Sequence, residues 1–246
     1  MASKAYHSFK QKMGYFDDDI ELIDVIRAAV ANGDLTDPAT NRLMRHVDPA
    51  RHTHISRRRN SDGARQNTIN HLRQSVYSSY LKDMYEEVTE YLRRILEQAS
   101  RKGLSAGRVV GEHSFKMDAK AILELGSWDN VCKTLAESIF QNLEAERSTL
   151  NLLKKIPSKL GLEIPEALIA DALPYLEVRH ALVHTDGRLS ADFVAKYPMI
   201  PRKSNGCVNL SYTLINDART KIKALMEAYD AEVVAKNLLA PGDLQP

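Results

Sequence analysis

Apolar residues recur at steps of three and four through most of this 246-residue chain, the spacing of a helix with one buried face. The longest such segment covers residues 64–100. Its apolar positions are Ile69, Leu72, Val76, Tyr80, Met84, Val88, Tyr91 and Ile95. Residues 128–156 repeat the pattern and are followed by Pro157. Each segment is predicted to form one long helix, and we expect Pro157 to end the second.

Two further long helices are predicted towards the end of the chain. Residues 165–184 contain Pro174, which lacks a backbone donor and is expected to kink or split that helix. Residues 213–239 form a final amphipathic helix, with a frayed end after it at residues 240–246. A short helix is expected near residues 119–125, in an otherwise irregular stretch.

The first sixty residues contain shorter helical signals. Residues 16–33 predict a short capped helix ending at Gly33, and residues 37–47 predict another, with Asp37 as N-cap. The predicted fold is therefore all-α, a bundle of three to four long helices with an N-terminal helical extension. We expect residues 1–61 to form the extension with an Arg-rich linker, and residues 62–240 to form the bundle.

Composition supports this fold class and removes several functional classes. The chain is 43% hydrophobic and 27% charged, the balance of a soluble helical protein. The sequence has no apolar run long enough to span a membrane and no secretory signal, so we expect a cytoplasmic protein. Cys132 and Cys207 lie far apart in the sequence and form no CxxC pair, so neither a disulfide nor a thiolate metal site is predicted. With no Gly-rich phosphate loop either, no cofactor is predicted.

Positive charge is concentrated in one segment, although the net charge is only +2. Residues 42–65 carry seven arginines and three histidines against two aspartates, a cluster that attracts polyanions. Arg57, Arg58 and Arg59 are its centre and the predicted RNA contacts. A solvated basic linker without a ligand is an equally open interpretation.

The stretch EVRHALVHTDGRLS, residues 177–190, carries the candidate chemistry. His180 and His184 lie four positions apart and share a helical face, and the long guanidinium of Arg179 can wrap towards them. Gly187 suits the left-handed conformation that ends helices, which places His184 in the last turn, where it can exchange a proton at neutral pH. Metal binding is not predicted, because HxxxH supplies two ligands and no third is identifiable. Interpretations without a functional site also stay open. Arg179 could form a surface ion pair with Glu177 or Asp186, the histidines could lie in the core or at its edge, and the HxxxH spacing could be accidental.

The Arg-x4-His pattern of Arg179 and His184 resembles the hallmark of the HEPN superfamily, particularly its RiboL-PSP-like branch. The long helix over residues 64–100 looks like the opening helix of that superfamily, and the resemblance covers about residues 65–239. It implies a metal-independent endoribonuclease, usually a homodimer, that serves as a toxin or phage-defence effector. His184 would take the proton of a ribose 2′-hydroxyl, Arg179 would hold the phosphate, and His180 would orient the substrate. The products would be a 2′,3′-cyclic phosphate and a 5′-hydroxyl.

The resemblance also implies a further residue and leaves alternatives. Some members use an acidic residue from the first long helix, for which Glu87 is the candidate here. Glu87 could instead be a carboxylate at the edge of the packed helix face, without a catalytic role. Members that accept nucleotides carry Tyr two residues after the His, where this chain has Asp186. Expected partners are RNA, a second copy of the chain, and an antitoxin or neighbouring defence protein. The alternatives are a non-catalytic HEPN interaction or nucleotide-binding module, and a helix-turn-helix DNA binder.

Overall fold

The computed structural model describes residues 1–33, 47–57, 61–103 and 117–245. This part of the chain contains eight α-helices, two 3-10 turns (Ile55–Arg57 and Pro241–Asp243) and one two-stranded sheet. The strands are β1 Ala2–Ser3 and β2 Leu244–Gln245, and the helices are α1 Lys4–Ala31, α2 Asp62–Arg101, α3 Ala119–Glu124, α4 Trp128–Ala145, α5 Thr149–Leu160, α6 Glu166–His184, α7 Ala191–Lys196 and α8 Tyr212–Ala235.

Helix α2 is the centre of an all-α bundle, as the apolar pattern predicts. It is 40 residues long and packs against α1, α4, α6 and α8. Its predicted stripe is buried from Ile69 to Ile95, except for Val76, which is partly buried, and Leu72, which is 46% exposed. One continuous hydrophobic core includes residues of α1, α2, α4, α5, α6 and α8. The described residues are predominantly helical and contain a sheet of only two short strands, which confirms the predicted all-α fold class.

Helix α1 is much longer than its predicted counterpart. It begins at Lys4, where Ser3 caps it by accepting a hydrogen bond from the Tyr6 amide. The prediction of a short helix over residues 16–33 was wrong because three earlier turns also bury apolar side chains, including Phe9 and Met13. Gly33 follows the helix with φ 85°, as expected. The helix predicted at residues 37–47 lies outside the described residues, apart from Val47.

The predicted extension and bundle meet where α2 begins. Ser61 caps α2, so the expected boundary between residues 61 and 62 falls at a helix start. Helix α1 lies in the same hydrophobic core as the bundle helices, packed along α2. Whether residues 1–61 form a separate functional unit stays a prediction.

The second long helix of the prediction is two helices. Helix α4 ends at Ala145 and α5 begins at Thr149, with Ser148 as its N-cap, accepting from the Asn151 amide at 3.2 Å. Arg147, between them, has φ 52°, a left-handed conformation in which an α-helix does not continue. The expectation that Pro157 ends the helix was also wrong, since Pro157 lies inside α5. Pro157 leaves the Leu153 carbonyl without its helical donor, and the Tyr229 hydroxyl donates to that oxygen instead at 2.7 Å.

Helix α6 is continuous across Pro174, so the chain is not split there. Short helix α3 is present near its expected position. Helix α7, by contrast, lies in a segment that the apolar pattern leaves irregular, and Ser190 caps it.

The two ends of the described chain are tied to each other and to α8. Strand β1 pairs antiparallel with β2, so the prediction of a frayed end at residues 240–246 was wrong for residues up to Gln245. Asp230 of α8 is 3% exposed and accepts hydrogen bonds from the Ser3 amide (3.0 Å), the Ser3 hydroxyl and the Tyr91 hydroxyl (3.2 Å). One buried carboxylate therefore joins β1, α2 and α8.

Replacing Asp230 tests this junction. Asp230→Ala leaves the Ser3 and Tyr91 donors without a buried partner, so we expect the free energy of unfolding to fall by about 3 kcal/mol. Asp217→Ala is the matched control, because Asp217 is exposed on the same helix, and it should change stability by less than about 0.5 kcal/mol. Urea unfolding followed by circular dichroism measures both variants, and equal stabilities would contradict the assigned role of Asp230.

Candidate functional site

A cleft of about 560 Å³ opens where the end of α6 faces the turn between α4 and α5. Helix α2 contributes Tyr85 to the cleft, and α6 contributes the three predicted residues Arg179, His180 and His184. The remaining lining residues are Leu143, Glu144, Arg147, Ser148, Thr149, Leu152 and Leu176. The volume is typical of small-molecule sites, which span about 300 to 1,000 Å³. We call this space the arginine–histidine cleft.

The guanidinium of Arg179 lies over the Tyr85 ring, 4.8 Å from its centroid. This cation–π contact holds the charge in place without neutralising it. Its Nε is buried and has no hydrogen-bond partner, and in the described residues no carboxylate lies within ion-pairing distance of Arg179. Glu177 pairs with Lys196 instead, at 3.5 Å, so the surface pair between Glu177 and Arg179, one of the open interpretations, is not observed. Arg179 thus offers its outer N–H groups to the cleft.

His180 and His184 are exposed neighbours on one face of α6, as their spacing predicts. Their ring centroids lie 4.6 Å apart. His184 is the last residue of the helix, which closes when the Thr185 and Gly187 amides both donate to the Ala181 carbonyl, at 3.0 and 2.9 Å. Gly187 has φ 81°, which confirms its expected role as terminator. The closure places the imidazole of His184 at the carboxyl end of the helix dipole, within the cleft.

The polar turn that forms the wall opposite α6 was not among the predicted site residues. Glu144, Arg147, Ser148 and Thr149 lie at the break between α4 and α5. The break was missed because Leu143 and Leu150 are seven positions apart, two helical turns, so the apolar pattern runs through it unchanged. The available signal was Ser148, a preferred N-cap residue within a polar stretch.

Burial shapes the electrostatics of the cleft. It raises the pKa of the Tyr85 hydroxyl, an effect that the Arg179 charge partly offsets. It also raises the pKa of the Glu144 carboxyl, with Arg179 acting against the rise and Glu137 adding to it.

Glu87 lies elsewhere. Its carboxylate is 15% exposed and pairs with Lys12 of α1 at 2.7 Å. It lines a separate acidic depression with Glu86, Glu90, Glu137 and Glu144, and within the described residues it is not on the wall of the arginine–histidine cleft. Among the lining residues of that cleft, the one carboxylate is Glu144, from α4.

The predicted RNA contacts of the basic cluster are only partly described. Arg57 is exposed in the 3-10 turn Ile55–Arg57, and it is not among the residues that line the cleft. Arg58 and Arg59 lie outside the described residues. Arg65, from the same cluster, is buried in the first turn of α2, at 5% exposure. The structure therefore brings together Arg179, His180 and His184, and leaves Arg57 and Glu87 apart from them.

Across the described ranges, no group of three or more His, Cys, Asp or Glu side chains is arranged to hold a metal ion. No helix in the described part of the chain is both long and apolar enough to cross a membrane. Comparison with known proteins finds no matching family model, no matching curated protein and no matching solved structure.

Glu144 and Glu90 form a matched pair for testing the electrostatics. The folded-state pKa of Glu144 lies above the ordinary value of 4.5, so ionisation of Glu144 weakens the fold as the pH rises through that raised value. For Glu90 the burial effect is outweighed by hydrogen bonds from Arg94 and Arg93, and the pKa is lowered. Its stabilising effect is therefore present at neutral pH and is lost as the pH falls through the lowered value.

The two glutamine variants should consequently differ in sign. Relative to wild type, Glu144→Gln should have a higher melting temperature at neutral pH than in mild acid. Glu90→Gln should be destabilised at neutral pH and approach wild type in acid. Melting curves recorded across this pH range measure both effects. The account of the cleft would be wrong if Glu144→Gln lost stability at neutral pH as Glu90→Gln does.

Proposed function

We propose that this protein is a HEPN-type, metal-independent endoribonuclease. The observation that carries the proposal is the presence of Arg179, free of any carboxylate partner in the described residues, in one cleft with His184. An uncompensated guanidinium recognises phosphate, and an exposed imidazole can transfer protons at neutral pH. Their positions on adjacent turns match the Arg-x4-His motif from which the resemblance arose.

In the proposed reaction, the ribose 2′-oxygen attacks the adjacent phosphorus while His184 accepts the 2′-hydroxyl proton. The new O2′–P bond forms as the P–O5′ bond breaks. Arg179 donates hydrogen bonds to the non-bridging oxygens, where negative charge increases in the transition state. His180, with its ring 4.6 Å from that of His184, orients the substrate beside the base. The products are a 2′,3′-cyclic phosphate and a 5′-hydroxyl.

The leaving 5′-oxygen also requires a proton. We assign this step to His184 of a second copy of the chain, in a homodimer whose two clefts meet. In the single chain, His180 and His184 are exposed at the end of α6, so a second copy can reach them. The biological role proposed is a cytoplasmic toxin or phage-defence effector, held in check by an antitoxin or neighbouring defence protein. The basic cluster around Arg57, Arg58 and Arg59 would attract RNA electrostatically.

The direct test is cleavage of total RNA with EDTA present. We expect wild type to cut, and His184→Ala to be slower by about 10²- to 10⁴-fold because the general base is lost. Arg179→Ala should lose about 10²- to 10³-fold as transition-state charge is no longer stabilised. His71→Ala is the matched control, since His71 is exposed on α2 and does not line the cleft, and it should cut normally.

Chemical analysis of the products supplies a second readout. Wild type should leave 2′,3′-cyclic phosphate ends, and melting temperatures should show that His184→Ala is folded. Unchanged cleavage by His184→Ala would reject the assignment. A folded wild-type protein that binds nucleotides and never cuts RNA would instead support the non-catalytic HEPN module.

A further inference from the structure

A second cleft, of about 410 Å³, adjoins the arginine–histidine cleft. The two share Arg147, Ser148, Thr149 and His180, so they lie on either side of a common wall. The other residues of the second cleft come from the end of α6, the following turn and α7: Glu177, Ala181, Thr185, Arg188, Leu189, Ser190 and Phe193. We call it the adjoining cleft. We refer to the two neighbouring clefts together as the groove at the end of α6.

The adjoining cleft has an excess of positive charge. Arg147 and Arg188 line it, and within the described ranges neither side chain has an ion-pair partner. Its one carboxylate, Glu177, lies 3.5 Å from Lys196 Nζ and is thereby compensated. A phosphodiester entering this space would meet two guanidinium groups and no free carboxylate of the lining residues.

An apolar surface accompanies this charge. Phe193 of α7 is half-buried, and its ring contacts Tyr197 edge to face, with centroids 5.1 Å apart. This contact fixes the ring at the side of the cleft. A fixed aromatic ring beside a cationic groove is the combination by which proteins bind single-stranded nucleic acid, since any base can stack on it.

We infer that the adjoining cleft is a second nucleotide subsite, in which Arg147 and Arg188 bind the phosphodiester next to the scissile one. This inference rests on the proposed ribonuclease function and specifies its substrate class as an extended single strand. Arg147, on the common wall, contacts both phosphates, whereas Arg188 contacts only the flanking one. A base that is paired within a duplex is not free to stack on the Phe193 ring, so we expect the groove to bind single-stranded and not double-stranded RNA.

The test uses single-stranded oligodeoxynucleotides, which lack the 2′-hydroxyl and bind without being cut. A labelled hexanucleotide reports affinity by fluorescence anisotropy, and an unlabelled dinucleotide, with one phosphodiester, is measured by competition. Arg188→Ala should weaken hexanucleotide binding about five- to tenfold and leave the dinucleotide unchanged. The slope of log affinity against log salt concentration should fall by about 0.7, the value for one phosphate contact to a single strand.

Two further variants complete the design. Arg147→Gly suits the left-handed backbone at φ 52° and should weaken both oligonucleotides. Arg202→Ala is the matched control, because Arg202 is exposed and lines neither cleft, and it should bind both as wild type does. When a hexanucleotide RNA is used as the substrate for cleavage, Arg188→Ala should raise KM by the same five- to tenfold and change kcat little.

The outcomes separate this inference from the proposed function. An Arg188→Ala protein with wild-type affinity and salt slope, or one that loses both oligonucleotides equally, would overturn the second subsite even if RNA is cut. Length-dependent loss with Arg188→Ala supports the subsite even if no variant, wild type included, cuts RNA. In that case the ribonuclease proposal fails and a single-strand binding groove stands.

Discussion

The contact between the Arg179 guanidinium and the Tyr85 ring is the interaction on which the site depends. It joins α6 to the central helix α2 and holds a cation in a half-buried position that would otherwise favour a carboxylate partner. An ion pair would stabilise Arg179 as well, but it would occupy the N–H groups that a phosphate needs. The aromatic face instead leaves those groups available. His184 lies on the same helix and is its last residue, because a left-handed turn at Asp186 and Gly187 follows.

The opposite wall of the cleft comes from an interruption in a helix. The left-handed backbone at Arg147 separates α4 from α5 and directs residues 144–149 towards the end of α6. Two arginines, Arg147 and Arg179, line the cleft with one carboxylate, Glu144, and this excess of positive charge favours an anion. The same turn borders the adjoining cleft. One break in a helix thereby connects the proposed catalytic position to the proposed flanking subsite.

Local features of the fold and site were predictable, and features that depend on distant partners were not. The proximity of His180 and His184 follows from helical geometry within five residues, and the end of α6 follows from Gly187. The apolar pattern does not reveal the break between α4 and α5, because Leu143 and Leu150 are two helical turns apart across it. Pro157 is accommodated inside α5 by a hydroxyl from Tyr229, on another helix. The ordered chain ends likewise depend on Asp230, far away in the sequence.

The central claim, that Arg179 is held free of carboxylates to bind phosphate, can be measured on the Arg179 guanidinium itself. In a two-dimensional ¹H–¹⁵N spectrum of the arginine Nε–Hε groups, Arg179→Lys identifies the Arg179 resonance by its loss. On titration with a single-stranded oligodeoxynucleotide, this resonance should shift and saturate at the concentration that saturates binding. A resonance that stays in place while the oligonucleotide binds, with only other arginines shifting, would contradict the account.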